Sequence, residues 1–221
     1  MAKAQSSFED NVFINCPFDK KYKPIFNAIV FAIHDAGFIA RCSREILDAG
    51  QTRLRSIISI IAECRYGIHD ISSMEVSRKS KLPRFNMPFE CGLFWGNLEY
   101  GNGKHKTKRI LVLDREQYRY QTSLSDIAGQ DIQVHEDDPR KAIDKVRTWL
   151  KVNSGRKNIP GGRTIWQHYL LFKKELPHML KRAGITRVEI EAPDYYSDYV
   201  TFIVEWLKER EAKAKKKDNL S

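Results

Sequence analysis

Apolar positions along this chain fall into two alternating periods, short compact runs and longer stretches with a helical repeat. Residues 11–16 form an apolar run rich in strand formers, broken by Pro17, Phe18 and Asp19. Over 22–36 the apolar residues Ile25, Phe26, Ile29, Val30 and Ile33 recur at helical spacing, and Gly37 is placed to end that helix. Residues 38–42 read as a second strand and 43–50 as a polar loop. A second helix is predicted over 51–64, with Leu54, Ile57, Ile58, Ile61 and Ala62 on one face. A third strand follows over 66–71, then a long loop over 72–86 carrying Arg78, Lys79, Lys81 and Arg84. A third helix is expected over 87–98 and a turn at 101–103. The run 109–114 is apolar enough for a central strand. After a helical turn at 124–128, the less apolar 131–135 reads as an edge strand, and 139–152 as a helix carrying Ala142, Ile143, Val146, Trp149 and Leu150.

Strands alternating with helices predict an α/β fold: a five-stranded parallel sheet of order 2-1-3-4-5, helices on both faces, within an α/β domain over 8–152. Residues 153–162, rich in Gly, Pro and Ser, read as a hinge. Beyond it, 163–212 reads as a C-terminal helical extension, with amphipathic helices over 164–182 and 197–212 and an extended piece over 186–191. Residues 213–221 are expected to form a disordered basic tail.

Composition narrows the class. At 221 residues and 42% hydrophobic, the chain can bury a proper core. It has no apolar run long enough to span a bilayer and no apolar signal core near Met1, so a cytoplasmic protein without membrane partners is expected. Cys16, Cys42, Cys64 and Cys91 form no Cys-x-x-Cys pair, which argues against structural zinc and for reduced, partly buried thiols. The net charge is +10, and only +3 of it falls in 208–218. A basic body favours anionic ligands without choosing among them.

In a sheet of this order ligands lie beyond the carboxyl ends of the strands, at the point where strand order reverses. The residues expected there are Asn15, Cys16, Pro17, Phe18 and Asp19 after strand 1, Arg41 to Asp48 after strand 2, Asp70 and Ser72 after strand 3, and Asp114 and Arg115 after strand 4. Glu90 comes from the start of the third helix, with Asn86 expected as its N-cap. Arg41, Arg44, Arg53 or Arg84 is placed to hold a phosphate. Each candidate has a plainer reading. Glu90 in a first turn complements the helix dipole, yet it lies beside Phe89, Cys91 and Leu93, where an uncompensated acid is costly. Asp70, Asn15 and Asp19 suit caps or Asx turns, and the arginines suit a solvated surface. His69, Phe94 and Trp95 read as packed core. Neither a Gly-x-Gly-x-x-Gly nor a Walker lysine motif is present, nor a Gly-x-Ser-x-Gly elbow.

Three segments carry a resemblance: residues 13–19, the strand ending in Asp70, Ile71 and Ser72, and the helix that contains Phe89, Glu90, Cys91 and Gly92. Together they resemble the nucleoside 2-deoxyribosyltransferase-like superfamily and look like the neighbouring TIR-domain group, over about residues 11–152. The transferase pattern on the third helix is an aromatic residue, Glu, an apolar residue and Gly, which Phe89 to Gly92 match. The resemblance implies a flavodoxin-like sheet and a glutamate acting at a ribosyl C1′. Glu90 and Asp70 would then be catalytic. Asn15, Cys16, Pro17, Phe18, Asp19, Arg41, Asp48, Arg53, Ser72 and Asn86 would line the substrate site. No cofactor would be required, with NAD or another nucleotide as substrate or ligand, a homo-oligomer or a defence-system protein as partner, and bacterial anti-phage defence as the setting. Two further readings stay open. One is a non-catalytic nucleotide-sensing module that signals to a partner protein. The other, ranked last for want of a recognition helix or an aromatic RNA-binding sheet, is a nucleic-acid binder.

Overall fold

The computed structural model describes residues 7–46, 48–74 and 82–218. It has a five-stranded parallel sheet of order β2-β1-β3-β4-β5, as the hydrophobic pattern predicts. The strands are β1 Asn11–Asn15, β2 Ile39–Arg41, β3 Tyr66–Asp70, β4 Arg109–Asp114 and β5 Gln133–Val134. The helices are α1 Lys23–Asp35, α2 Arg53–Glu63, α3 Asn86–Tyr100, α4 Pro139–Ser154, α5 Gly162–Ala183, α6 Arg187–Glu191 and α7 Tyr196–Asp218. In register, Val12 stands beside Ala40 and Tyr66, and Asn15 beside His69.

The pleat divides the core by alternation. Val12, Ile14, Tyr66, Ile68, Leu111 and Leu113 face α1 and α4 in one large cluster. Phe13, Ile110 and Val112 face α2 and α3 in two smaller ones. On that second face Gly67 is required by close packing. A Cβ there would stand 2.8 Å from both the Phe94 ring and His69 Nε2. The first face is thicker because α5 and α7 cover α1. Ile165, Tyr169, Phe172, Phe202, Ile203 and Trp206 belong to the same cluster as the sheet. The C-terminal helices are thus an outer layer of one core.

Several expectations change. Residues 186–191 are not extended. Thr186 caps α6 in a reciprocal capping box with Glu189, a local signal that outweighs the β-branched content. Helix α7 runs to Asp218, so 213–218 continue a helix, while 219–221 lie outside the described residues. The segment after α4 is pinned. Gly155 turns the chain at φ +69°, Arg147 Nε donates to Pro160 O at 2.7 Å, and Arg156 stacks 3.8 Å over Phe38. The fifth strand shrinks to two residues, because 130–132 follow a local turn instead of β4. Arg78, Lys79 and Lys81 lie outside the described residues.

Candidate functional site

Strand β3 ends in Asp70, which is fully buried. Tyr22, at the entry to α1, donates its hydroxyl to Asp70 Oδ2 at 2.6 Å, and the Ser72 amide donates to Oδ1 at 2.9 Å. His135, just past β5, brings Nε2 to 3.0 Å from Oδ2, at an oblique angle. The Asp137 amide donates to His135 Nδ1 at 3.0 Å, so the ring proton of the neutral imidazole sits on Nε2, facing Asp70. Next to them Arg119 spans Asp114 Oδ1 at 2.6 Å and the carbonyls of Ile71 and Ser72. Burial, reinforced by Asp70, pushes the Tyr22 phenol well above its ordinary range. Asp70 therefore ties the end of β3 to the start of α1, with His135 beyond β5 packed against it.

Glu90 is placed differently. Phe85 is the N-cap of α3, and Asn86 is its first residue, exposed and without a capping bond. The expected Asn86 cap is thus displaced by one residue, and Glu90 falls in the second turn, beyond the reach of a capping box. It is 9% exposed, and it makes no hydrogen bond or ion pair among the described residues. Burial raises its carboxyl to about 7, and the Arg53 guanidinium pulls the other way. The buried Cys16 feels both acids. Burial drives its thiol well above the usual range, reinforced by Asp70, then Cys42 and, less, Glu90, while Arg44 pulls the other way. Cys16 is an inert buried thiol at the floor of the crevice.

The remaining candidates divide. Pro17, Phe18 and Asp19 line a cavity of about 310 Å³ with Lys20, Lys23 and Arg44, closed on the far side by Val188, Glu191 and Pro193. Arg44 lies 4.4 Å over the Phe18 ring and donates to Phe18 O at 2.9 Å. Asp19 closes the turn before α1, accepting from the amide of the N-cap residue Tyr22 at 2.9 Å, and Arg84 approaches it at 3.9 Å. Arg53 donates to Ser43 Oγ at 3.1 Å and stays exposed at the mouth. Asn15 is buried and structural, its amide donating to Met87 O at 2.8 Å and meeting His69 Nδ1 at 3.1 Å. Ser72 is buried behind Asp70. Asp48 is exposed and closes its own turn onto Gly50. Arg41 is committed to Glu45 at 2.7 Å and Glu63 at 3.0 Å, which removes it from the phosphate candidates. His69 is a packed histidine, between Phe13 and Phe94, with burial lowering it to about 3. All four cysteines are free and buried.

Sequence reasoning missed Tyr22, His135, Arg119 and the wall formed by α6. His135 carried a signal, a histidine at the carboxyl end of a strand. Tyr22 carried none, since a tyrosine on an apolar helix face reads as core. No group of His, Cys, Asp and Glu among the described residues could hold a metal ion. No helix among them is long and apolar enough to cross a membrane. In comparison with known proteins, no family model, curated protein or solved structure matches the chain.

Proposed function

We propose that this protein is a nucleotide N-glycosidase, cleaving NAD or a related nucleotide, with Glu90 acting at the ribosyl C1′. One observation carries the reading: a carboxylate held without a partner in an apolar helix beside the crevice, its pKa lifted to about 7 by burial. Structural acids in such surroundings have partners, as Asp70 does. The resemblance to nucleoside 2-deoxyribosyltransferase-like and TIR proteins supports the same role and suggests anti-phage defence in a bacterial cytoplasm.

When the C1′–N bond breaks, its electron pair leaves with the base and positive charge develops on the sugar. A carboxylate fixed in low dielectric stabilises that charge more than solvent would. Glu90 is half ionised near pH 7, and the approach of a cationic ring favours its ionised form. Water then adds at C1′ and releases one proton, giving free base and the ribosyl product. Arg53, whose charge reaches Glu90, supplies positive charge for a phosphate group, and Arg44, Lys20 and Lys23 add to it from the cavity of about 310 Å³ that they line. Asp70, with both oxygens engaged, acts as a positioning residue that fixes the crevice floor.

The test incubates wild type and Glu90→Gln with NAD, NADP, ATP, dATP and deoxynucleosides and follows free base by chromatography. Release by wild type alone supports the reading and names the substrate. Equal binding by calorimetry with no release from either protein replaces it with a nucleotide sensor.

A further inference from the structure

A second cavity, of about 750 Å³, lies along the outer edge of β4, away from the crevice. Strand β4 is six residues long and β5 only two. Pairing between them is confined to Leu113 with Gln133 and Asp114 with Val134. The Arg109 amide donates to Arg65 O, and Leu113 O accepts from the Ile71 amide, so the odd-numbered residues turn their main chain toward β3. Asp114 O accepts from the His135 amide, so the even-numbered residues turn outward. The N–H and C=O of Ile110 and the N–H of Val112 therefore point into the cavity. Among the described residues nothing pairs with them there.

Two tryptophans wall this edge, Trp95 from α3 on one side and Trp149 from α4 on the other. Neither indole N–H has a hydrogen-bond partner among the described residues. At the rim, Glu99, Asp131 and Asp144 are exposed and make no ion pair, on a chain whose net charge is +10. Three cations also line the cavity, each turned onto a neutral acceptor: Lys108 is buried on the Ile61 and Cys64 carbonyls, Arg109 donates to Lys108 O at 3.0 Å, and Lys145 donates to Gln133 at 3.0 Å.

We propose that this groove is a peptide-docking site that accepts an extended segment of a partner protein as an added strand on β4. The chemistry of the lining selects that occupant. Main-chain groups two residues apart repeat at about 6.6 Å, the spacing of a strand and longer than one aromatic ring. Side chains alternating above and below the added strand would lie against Trp95 and Trp149. The acidic rim selects basic residues flanking an apolar centre. Recessing the edge between two helices keeps it from pairing with sheets at random, which an open edge would do.

The test uses the full chain and the capped peptide Lys-Val-Thr-Val-Thr-Val-Lys. In the free protein the Ile110 and Val112 amides should exchange with solvent quickly. Saturating peptide should slow both by about tenfold or more, as new main-chain bonds do. It should also shift the indole resonances of Trp95 and Trp149 while leaving Trp166 and Trp206 unmoved. The same peptide N-methylated at its two threonines should bind about tenfold more weakly or worse. Ile110→Pro removes an outward N–H at a position where an edge strand tolerates proline, and should abolish binding. Glu99→Lys with Asp131→Lys changes only the rim, and should weaken the lysine-flanked peptide about fivefold. The proposal is overturned if the two amides are already protected in the free chain, if the peptide does not bind saturably, or if N-methylation leaves affinity unchanged.

Discussion

Asp70 and Glu90 both act on the buried thiol of Cys16, and the protein treats them in opposite ways. Around Asp70, a tyrosine hydroxyl, a backbone amide and an imidazole converge on one carboxylate. Glu90 makes no hydrogen bond or ion pair among the described residues, and burial lifts its carboxyl to about 7 against the pull of Arg53. A buried charge with partners is part of the scaffold. A buried charge without them costs stability, and such costs collect where a molecule does chemistry. The contrast separates the acid that builds the crevice from the acid placed to use it.

Substitutions test that contrast directly. Asp70→Ala should produce the largest effect, a loss of about 3–5 kcal/mol in urea denaturation, because it leaves the buried Tyr22 hydroxyl and the Ser72 amide without their acceptor. An Asp70→Ala protein as stable as wild type would break the comparison.

Glu90→Gln should have the opposite sign. The folded carboxyl titrates near 7 against an ordinary value of 4.5, so between those values the folded chain holds a proton that the unfolded chain has lost. Wild-type stability therefore falls, relative to Glu90→Gln, as pH rises from 4.5 to 7. At pH 8 the variant should be the more stable by about 2 kcal/mol, and the difference should vanish at pH 4. Thermal melts of both proteins across that range check the sign as well as the size.

Tyr22→Phe sharpens the Asp70 side. It keeps the ring and removes one donor, and should cost about 1–2 kcal/mol in the same denaturation assay. A smaller loss would mean that the Ser72 amide is enough to satisfy Asp70. Glu63→Gln serves as the surface reference. Its partner Arg41 is also held by Glu45, and Glu63 is half-exposed, so the change should stay under about 1 kcal/mol and shrink with added salt.

Much of the scaffold was legible along the chain. The run at 11–16, the helical repeat of Ile25, Phe26, Ile29, Val30 and Ile33, and the apolar β4 are dense local signals. Local periodicity decides element type, and the right-handed crossover rule decides sheet order. The site was only half legible. Position in an α/β sheet pointed to Asp70 and Glu90 together, and the apolar neighbours Phe89, Cys91 and Leu93 marked Glu90 as the costlier acid, but the partners of Asp70 left no local trace. Their difference depends on Tyr22 and His135, which lie 48 and 65 positions from Asp70 in the numbering of the chain. Arg41 looked like a phosphate ligand until folding brought Glu63 to it from the end of the next helix.

The five strands, their order and the helices that cover them were written in the sequence, because each follows from short-range pattern and chain chirality. Contacts across the fold settle which acid is satisfied and which is not, that α5 and α7 complete the core, and that among the described residues the first half of β4 has no partner strand on its outer side. Those outcomes depend on burial and on contacts between residues distant in the chain, and no window along the sequence contains them.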